Sequence, residues 1–284
     1  MRLPFFLMCM VLASCAKTVV VGGQPAAEQD PEQAAAPKQE EEPEEGTNTN
    51  PGEISCTYFV SPSEMGDGTG SSWDNASSDL GAILTRTGAL LDNAECSQIE
   101  IRLSAGTFIP HADERTQSFI LKGGMLLRGG YQGNADDPNN RDLTQYQTVL
   151  SGDIGSIDSS LDNTYHVLRF EDGGEKETRI DGIIIRSGNA SGSGEDSRGA
   201  GIYATTSKLR LVDVTVLSNI AQGSGAGVYI AGGTLALERV DFTANTSQGN
   251  GGGVFGSNIY ATFWGGQFVS NVAIKGGGIY TTGC

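Results

Sequence analysis

In the C-terminal half of this chain the apolar residues fall in short alternating runs, such as Leu209-Arg-Leu211, Val214-Thr-Val216 and Leu235-Ala-Leu237, in which every second side chain points the same way. None of these runs is long enough for a helix. Breaks containing Gly or Asn separate them and supply the backbone conformations that tight corners require. The pattern also restarts at a nearly constant interval, in Gly199-Ala-Gly-Ile-Tyr203, Gly225-Ala-Gly-Val-Tyr229, Gly251-Gly-Gly-Val-Phe255 and Gly276-Gly-Gly-Ile-Tyr280. A fixed period of about 26 residues signals a solenoid. The register holds inside each unit, because Leu209/Leu235, Leu211/Leu237/Phe263, Val216/Phe242/Phe268 and Asn219/Asn245/Asn271 all recur at that same period.

Three short strands and three corners per unit predict an all-β fold, in which each unit is one coil of a parallel β-helix and coils stack at roughly 4.8 Å. Ile202, Val228, Val254 and Ile279 would then lie in file inside the stack. Each such aliphatic side chain stabilises by roughly 1.5–3 kcal/mol when buried. Asn219, Asn245 and Asn271 would form a structural ladder at one corner, since a carboxamide both donates and accepts and can tie one coil to the next. An Asn at a corner can also satisfy only its own turn.

The repeats resemble those of the chlamydial polymorphic outer membrane proteins, which combine a Gly-Gly-Ala-Ile-like opening with Phe-x-x-Asn. Phe242-Thr-Ala-Asn245 and Phe268-Val-Ser-Asn271 match the second element, and Val216-Leu-Ser-Asn219 matches it with Val for Phe. The resemblance covers about residues 180–284. It implies a right-handed parallel β-helix of the pectin-lyase-like kind, and a role in adhesion. Those proteins are autotransporters with more repeats and a C-terminal membrane barrel, features not seen in this sequence.

Residues 1–15 read as a bacterial secretion signal, with Arg2, an apolar stretch from Leu3 to Ala13, and the tetrad Leu12-Ala-Ser-Cys15. The tetrad looks like a lipobox, whose Cys15 would be acylated and become the first mature residue. The stretch is too short to cross a bilayer, which takes about 20 residues. Ala16 rather than Asp follows the Cys, and by resemblance to bacterial lipoproteins this directs the anchor to the outer membrane. Residues 16–53 are rich in Gln, Ala, Pro and Glu, including the run Glu40 to Glu45, and predict a disordered acidic tether that lifts a folded domain of residues 54–284 from the lipid surface.

Two strands are expected at the start of that domain, Thr57-Tyr-Phe-Val60 and Ile99-Glu-Ile-Arg-Leu103, with an amphipathic helix between them. Leu80, Ile83, Leu84 and Leu91 share one helical face, Ser78 is the expected N-cap, and the helix would cap the open end of the stack. Cys56 and Cys96 each precede one of the two strands and are a disulfide candidate pair. Strand candidates from about 108 to 180 are less regular, and the loops 131–145 and 151–163 are the places to look for a ligand, being rich in Asp and Asn that could bind calcium although they lack a recognised calcium-loop spacing. The chain stops at Cys284, one strand into a new coil, so the expectation is a shortened product or a last coil covered by a partner, with end-to-end association through exposed edges.

The formal net charge is −16. Residues 56–284 alone carry 25 Asp and Glu against 15 Lys and Arg, which points away from nucleic acid and from anionic membrane faces. Candidate catalytic chemistry is sparse. His111 and His166 have no acid–base partner legible nearby, Asp136-Asp137 reads as a solvated turn, and no EF-hand or other metal-ligand spacing is present. No catalytic residue, metal or cofactor is therefore expected. Two functions remain: a lipid-anchored, surface-exposed binding scaffold or adhesin that meets host or neighbouring-cell proteins or glycans, and a polysaccharide-active lyase or hydrolase with unrecognised catalytic loops.

Overall fold

The computed structural model describes residues 55–157, 159–170 and 175–283. The expected signal segment, Cys15, the expected tether and Cys284 lie outside the described residues.

The chain opens with β1 (Ser55–Val60), helix α1 (Leu80–Asp92), β2 (Gln98–Ser104) and β3 (Gly106–Phe108). It continues through β4 (Phe119–Leu121), β5 (Met125–Tyr131), β6 (Thr148–Ser151), β7 (Leu168–Phe170), β8 (Glu177–Asp181), β9 (Ile183–Arg186) and β10 (Asn189–Ala190). The repeat region holds β11 (Ile202–Val212), β12 (Thr215–Leu217), β13 (Ile220–Ala221), β14 (Val228–Thr243), β15 (Thr246–Ser247), β16 (Val254–Val269) and β17 (Ile279–Thr282). Fourteen of these strands form one strongly curled sheet, and β10, β13 and β15 form a second, narrow one. All pairings between these strands are parallel, and in the regular part each strand pairs with its counterpart in the next repeat: Ile202 with Val228 and Val228 with Val254.

Three files of inward side chains follow from this register. The first runs Ile101, Leu127, Ile180, Leu211, Leu237, Phe263. A second runs Phe108, Leu150, Ile185, Val216, Phe242, Phe268. The third is Phe119, Leu168, Ile202, Val228, Val254, Ile279. All but the last-rung members Phe263, Phe268 and Ile279 are buried members of one continuous apolar core. The short strands expected within each repeat are merged here. Gly232, Gly233 and Arg239 have positive φ inside β14, and Gly265 and Gly266 inside β16, so the chain turns while its ladder to the next rung stays hydrogen-bonded.

Helix α1 starts one residue later than Ser78 would require. Asp79 is its N-cap, with Oδ1 accepting from Ala82 N at 2.8 Å, because only the residue directly before the first turn can reach that amide. Leu80, Ile83 and Leu84 are buried in the core, and Leu91 packs against it half-buried. Cys56 and Cys96 are joined by a disulfide with Cα atoms 6.0 Å apart, which ties β1 to the approach of β2. In the chain-entropy account, closing a loop of 40 residues stabilises by about 4 kcal/mol.

At one corner Asn219, Asn245 and Asn271 stand above one another. Asn219 Nδ2 donates to Asn245 Oδ1 at 3.0 Å, and Asn245 Nδ2 to Asn271 Oδ1 at 2.9 Å. The same Oδ1 atoms also accept the backbone N–H of the preceding Asn, at 3.1 and 3.0 Å. Each Nδ2 donates as well to a carbonyl one rung back, Asn245 to Val216 at 2.9 Å and Asn271 to Phe242 at 2.8 Å. Asn219 and Asn245 are fully buried. Asn245→Ala strands the Asn219 amide and the Val216 carbonyl in the interior, and should cost about 3 kcal/mol in urea unfolding. The same change at the half-exposed Asn271 should cost about half as much, and equal small losses at both would contradict the ladder.

Candidate functional site

Outward side chains in a parallel stack form rows with fixed spacing, just as inward ones do. One row reads Thr57, Glu100, Leu126, Arg179, Arg210, Ala236, Thr262, and the row two residues on reads Phe59, Arg102, Arg128, Asp181, Val212, Glu238, Trp264. Arg102 and Arg128 face each other in register, a repulsive pair held by shared carboxylates. Glu100 binds Arg102 at 3.1 Å and Arg128 at 3.3 Å, while Asp181 binds Arg179 at 2.7 Å, Arg128 at 3.7 Å and Arg141. Arg210 pairs with Glu238 at 2.7 Å. In these pairs five guanidinium groups share three carboxylates, a concentration of arginine on a chain of net −16. The loop after β5 borders it: Arg141 Nε donates to Gly129 O at 2.8 Å, and Arg102 Nη1 to Asn139 Oδ1 at 2.8 Å. At its far end Tyr260 and Trp264 present rings that are 81% and 57% exposed.

A second elaborated region surrounds Arg115. Its guanidinium lies over the Tyr165 ring at 4.4 Å and donates to Asn163 O at 2.7 Å, Ser191 Oγ at 2.8 Å and Asn189 O at 3.2 Å. It thereby pins the loop 151–163 to the narrow sheet. Beneath that loop is a half-open cavity of about 190 Å³ lined by Asp153, Ser160, Asn163, Ser187, Gly188, Ser218 and Ile220. Most of the lining is polar.

The third group centres on His166, which is 1% exposed and lies two residues before β7. Its Nδ1 is 3.0 Å from Gly199 O, and a carbonyl can only accept, so Nδ1 carries the proton. Nε2 of the neutral ring is then a lone pair, 3.4 Å from Asp196 Oδ1, and makes no hydrogen bond. Burial, with a smaller contribution from Arg169, holds the imidazole below the ordinary 6.5, against the pull of Gly199 and Asp196. Alongside, Arg169 binds Glu195 at 2.6 Å, and burial together with Glu195 pushes the Tyr203 hydroxyl up to about 12. His166 and Tyr203 are both buried, and the cluster braces the loop 191–198 while the carboxylates of Glu195 and Asp196 stay partly exposed.

The remaining residues singled out in the sequence are placed as follows. His111 accepts from Asp113 N and Glu114 N through Nδ1 in an exposed turn. Asp137 O accepts from Asn140 N in another turn. Between His166 and its partner Asp196 the chain passes through β7, β8, β9, β10 and an irregular loop, and the arginine rows draw on several separate strands, so neither left a local signal. No protein-family model matches the chain, and neither a curated protein nor a solved structure is significantly similar to it.

His166 sets a pH test. With its folded pKa depressed, it takes up a proton more readily in the unfolded chain, so its stabilisation is complete above 6.5 and is lost as pH falls from there through the folded value. His166→Asn keeps a donor for Gly199 O, and should flatten the decline in Tm between about pH 7 and pH 5. An unchanged decline would exclude His166 as its source.

Proposed function

We propose that the chain is a lipid-anchored protein of the bacterial outer membrane, surface-exposed, whose folded part is a right-handed parallel β-helix capped by α1 and serves as a binding scaffold or adhesin. The constant parallel register carries this reading. It commits the apolar side chains to three inner files and leaves outward rows whose spacing is fixed by the backbone, a long rigid contact surface for a protein or glycan of a host or neighbouring cell. The guanidinium rows suit carboxylate or sulfate groups, since arginine binds such groups in a bidentate fork. Tyr260 and Trp264 add amphipathic rings of the kind enriched at contact surfaces. The lipid anchor rests on Leu12-Ala-Ser-Cys15, with residues 16–53 as the spacer.

A polysaccharide-active enzyme is the second reading, favoured by the adjacent carboxylates Glu195 and Asp196 beside His166 and Tyr203. One experiment separates the two. The purified protein is incubated with a panel of acidic and neutral polysaccharides, and retention and product release are scored independently. Retention of acidic members without release is the expected result, weakening with salt and falling about tenfold in Arg210→Gln. Product release would favour the enzyme, and retention insensitive to both salt and Arg210 would exclude the arginine face. For the anchor, Cys15→Ala should move the protein from the membrane pellet to the soluble fraction, and persistence in the pellet would contradict lipidation.

A further inference from the structure

The asparagine column has a head as well as a body. Asn271, Asn245 and Asn219 each lie two residues beyond a paired position, Val269, Thr243 and Leu217. Continuing back along the same pairings, Leu217 to Arg186 to Ser151, the next two members of the column are Gly188 and Asp153. Gly188 has no side chain to extend the ladder, although its backbone N–H still donates to Asn219 Oδ1 at 2.9 Å. The break between Asn219 and Asp153 is where the cavity of about 190 Å³ opens.

Asn163 turns this gap into a site. It is 5% exposed, lines the cavity, and donates through Nδ2 to Ser187 O at 2.7 Å, which fixes the orientation of its amide. Its Oδ1 is buried without a hydrogen-bond partner. A buried acceptor left unsatisfied costs about 1–3 kcal/mol, so the arrangement calls for a donor or a cation. The other groups around the cavity are the Asp153 carboxylate and the oxygens of Ser160, Ser187 and Ser218. Backbone φ is positive at Ser187 and Ser218, at +62° and +53°, as at the other corners of the column.

We propose that this cavity is a calcium site. Oxygen is the only ligand type that its lining side chains offer, which selects a hard cation over zinc or copper. Calcium takes six to eight oxygens in adaptable geometry and accepts amide and carbonyl donors, whereas magnesium demands a near-ideal octahedron. A liquid water occupies about 30 Å³, so the space admits an ion with several of its waters. A single carboxylate places the affinity at the weak end of calcium sites, with half-saturation between about 0.1 and 1 mM, as in extracellular modules. Bound there, the ion would supply the link between rungs that Gly188 omits and would clamp the loop 151–163 against the column. The site is independent of what the outer arginine face contacts.

The test is titration of the full chain with calcium chloride by calorimetry, paired with thermal unfolding in calcium or in chelator. Expected are one saturable calcium site, a Tm that rises with calcium, and little response to magnesium at the same concentration. Asp153→Asn keeps the shape of the side chain and should weaken binding at least tenfold. Asp136→Asn, an equal loss of charge in an exposed turn, should leave binding intact. Absence of saturable binding would overturn the site and leave a cavity that holds water only. Equal weakening by both substitutions would overturn it in favour of diffuse attraction to an acidic chain, and binding untouched by Asp153→Asn would place the ion elsewhere.

Discussion

Asn245 accepts from the backbone and side chain of Asn219, donates to Val216 and Asn271, and is itself one rung of a pattern that repeats on either side. Such a set of bonds closes only if successive rungs are parallel, in register and separated by the one spacing at which strand pairing also occurs. The three inward files impose the same condition on the apolar side chains, and the stacked pairs Tyr203/Tyr229 and Phe242/Phe268, with ring planes within 5° and 1° of parallel, impose it on the aromatic ones. One spacing therefore serves backbone, amide and ring at once. Slipping a rung by one residue would invert every inward side chain, which leaves the register little freedom.

The constraint also decides where charge can sit. Rows on the outer face bring residues from distant parts of the chain to neighbouring strands, so an unpaired arginine in one rung is felt by the next. Asp181, 2% exposed, serves three arginines, and Glu100 serves two. Such shared carboxylates keep the part-buried guanidinium groups tolerable side by side. Loops are free of the register condition, and the irregular features of the molecule, the Arg115 brace, the cavity and the buried His166, gather where loops 131–145, 151–163 and 191–198 leave the stack.

Legibility in the sequence follows the same division. Where each rung has one length, period and side-chain type coincide, so the file Leu211, Leu237, Phe263 and the asparagine column could be read directly. Among the earlier members of that file, the step from Leu127 to Ile180 is about twice as long in sequence as the step from Ile101 to Leu127, and the inserted loops hide the period. Asp79 took the cap from Ser78 because a one-residue shift in helix start changes which oxygen can reach Ala82. Expected separate strands became the continuous β14 and β16 because their corners keep pairing with the next rung, which alternation of apolar residues cannot reveal. The orphan oxygen of Asn163 depends on where a neighbouring carbonyl lies, and no spacing rule encodes that.

The register itself can be measured across the whole stack. Thr57 and Thr262 occupy the first and last places of one outward row, six interstrand steps apart. Spin labels at these two positions, with the cysteines other than Cys56 and Cys96 replaced, should give by pulsed electron paramagnetic resonance a single narrow distance distribution near about 29 Å, six times the strand spacing of about 4.8 Å, with some broadening from the label arms. A broad distribution, or one centred far beyond that distance, would contradict in-register stacking of the rungs.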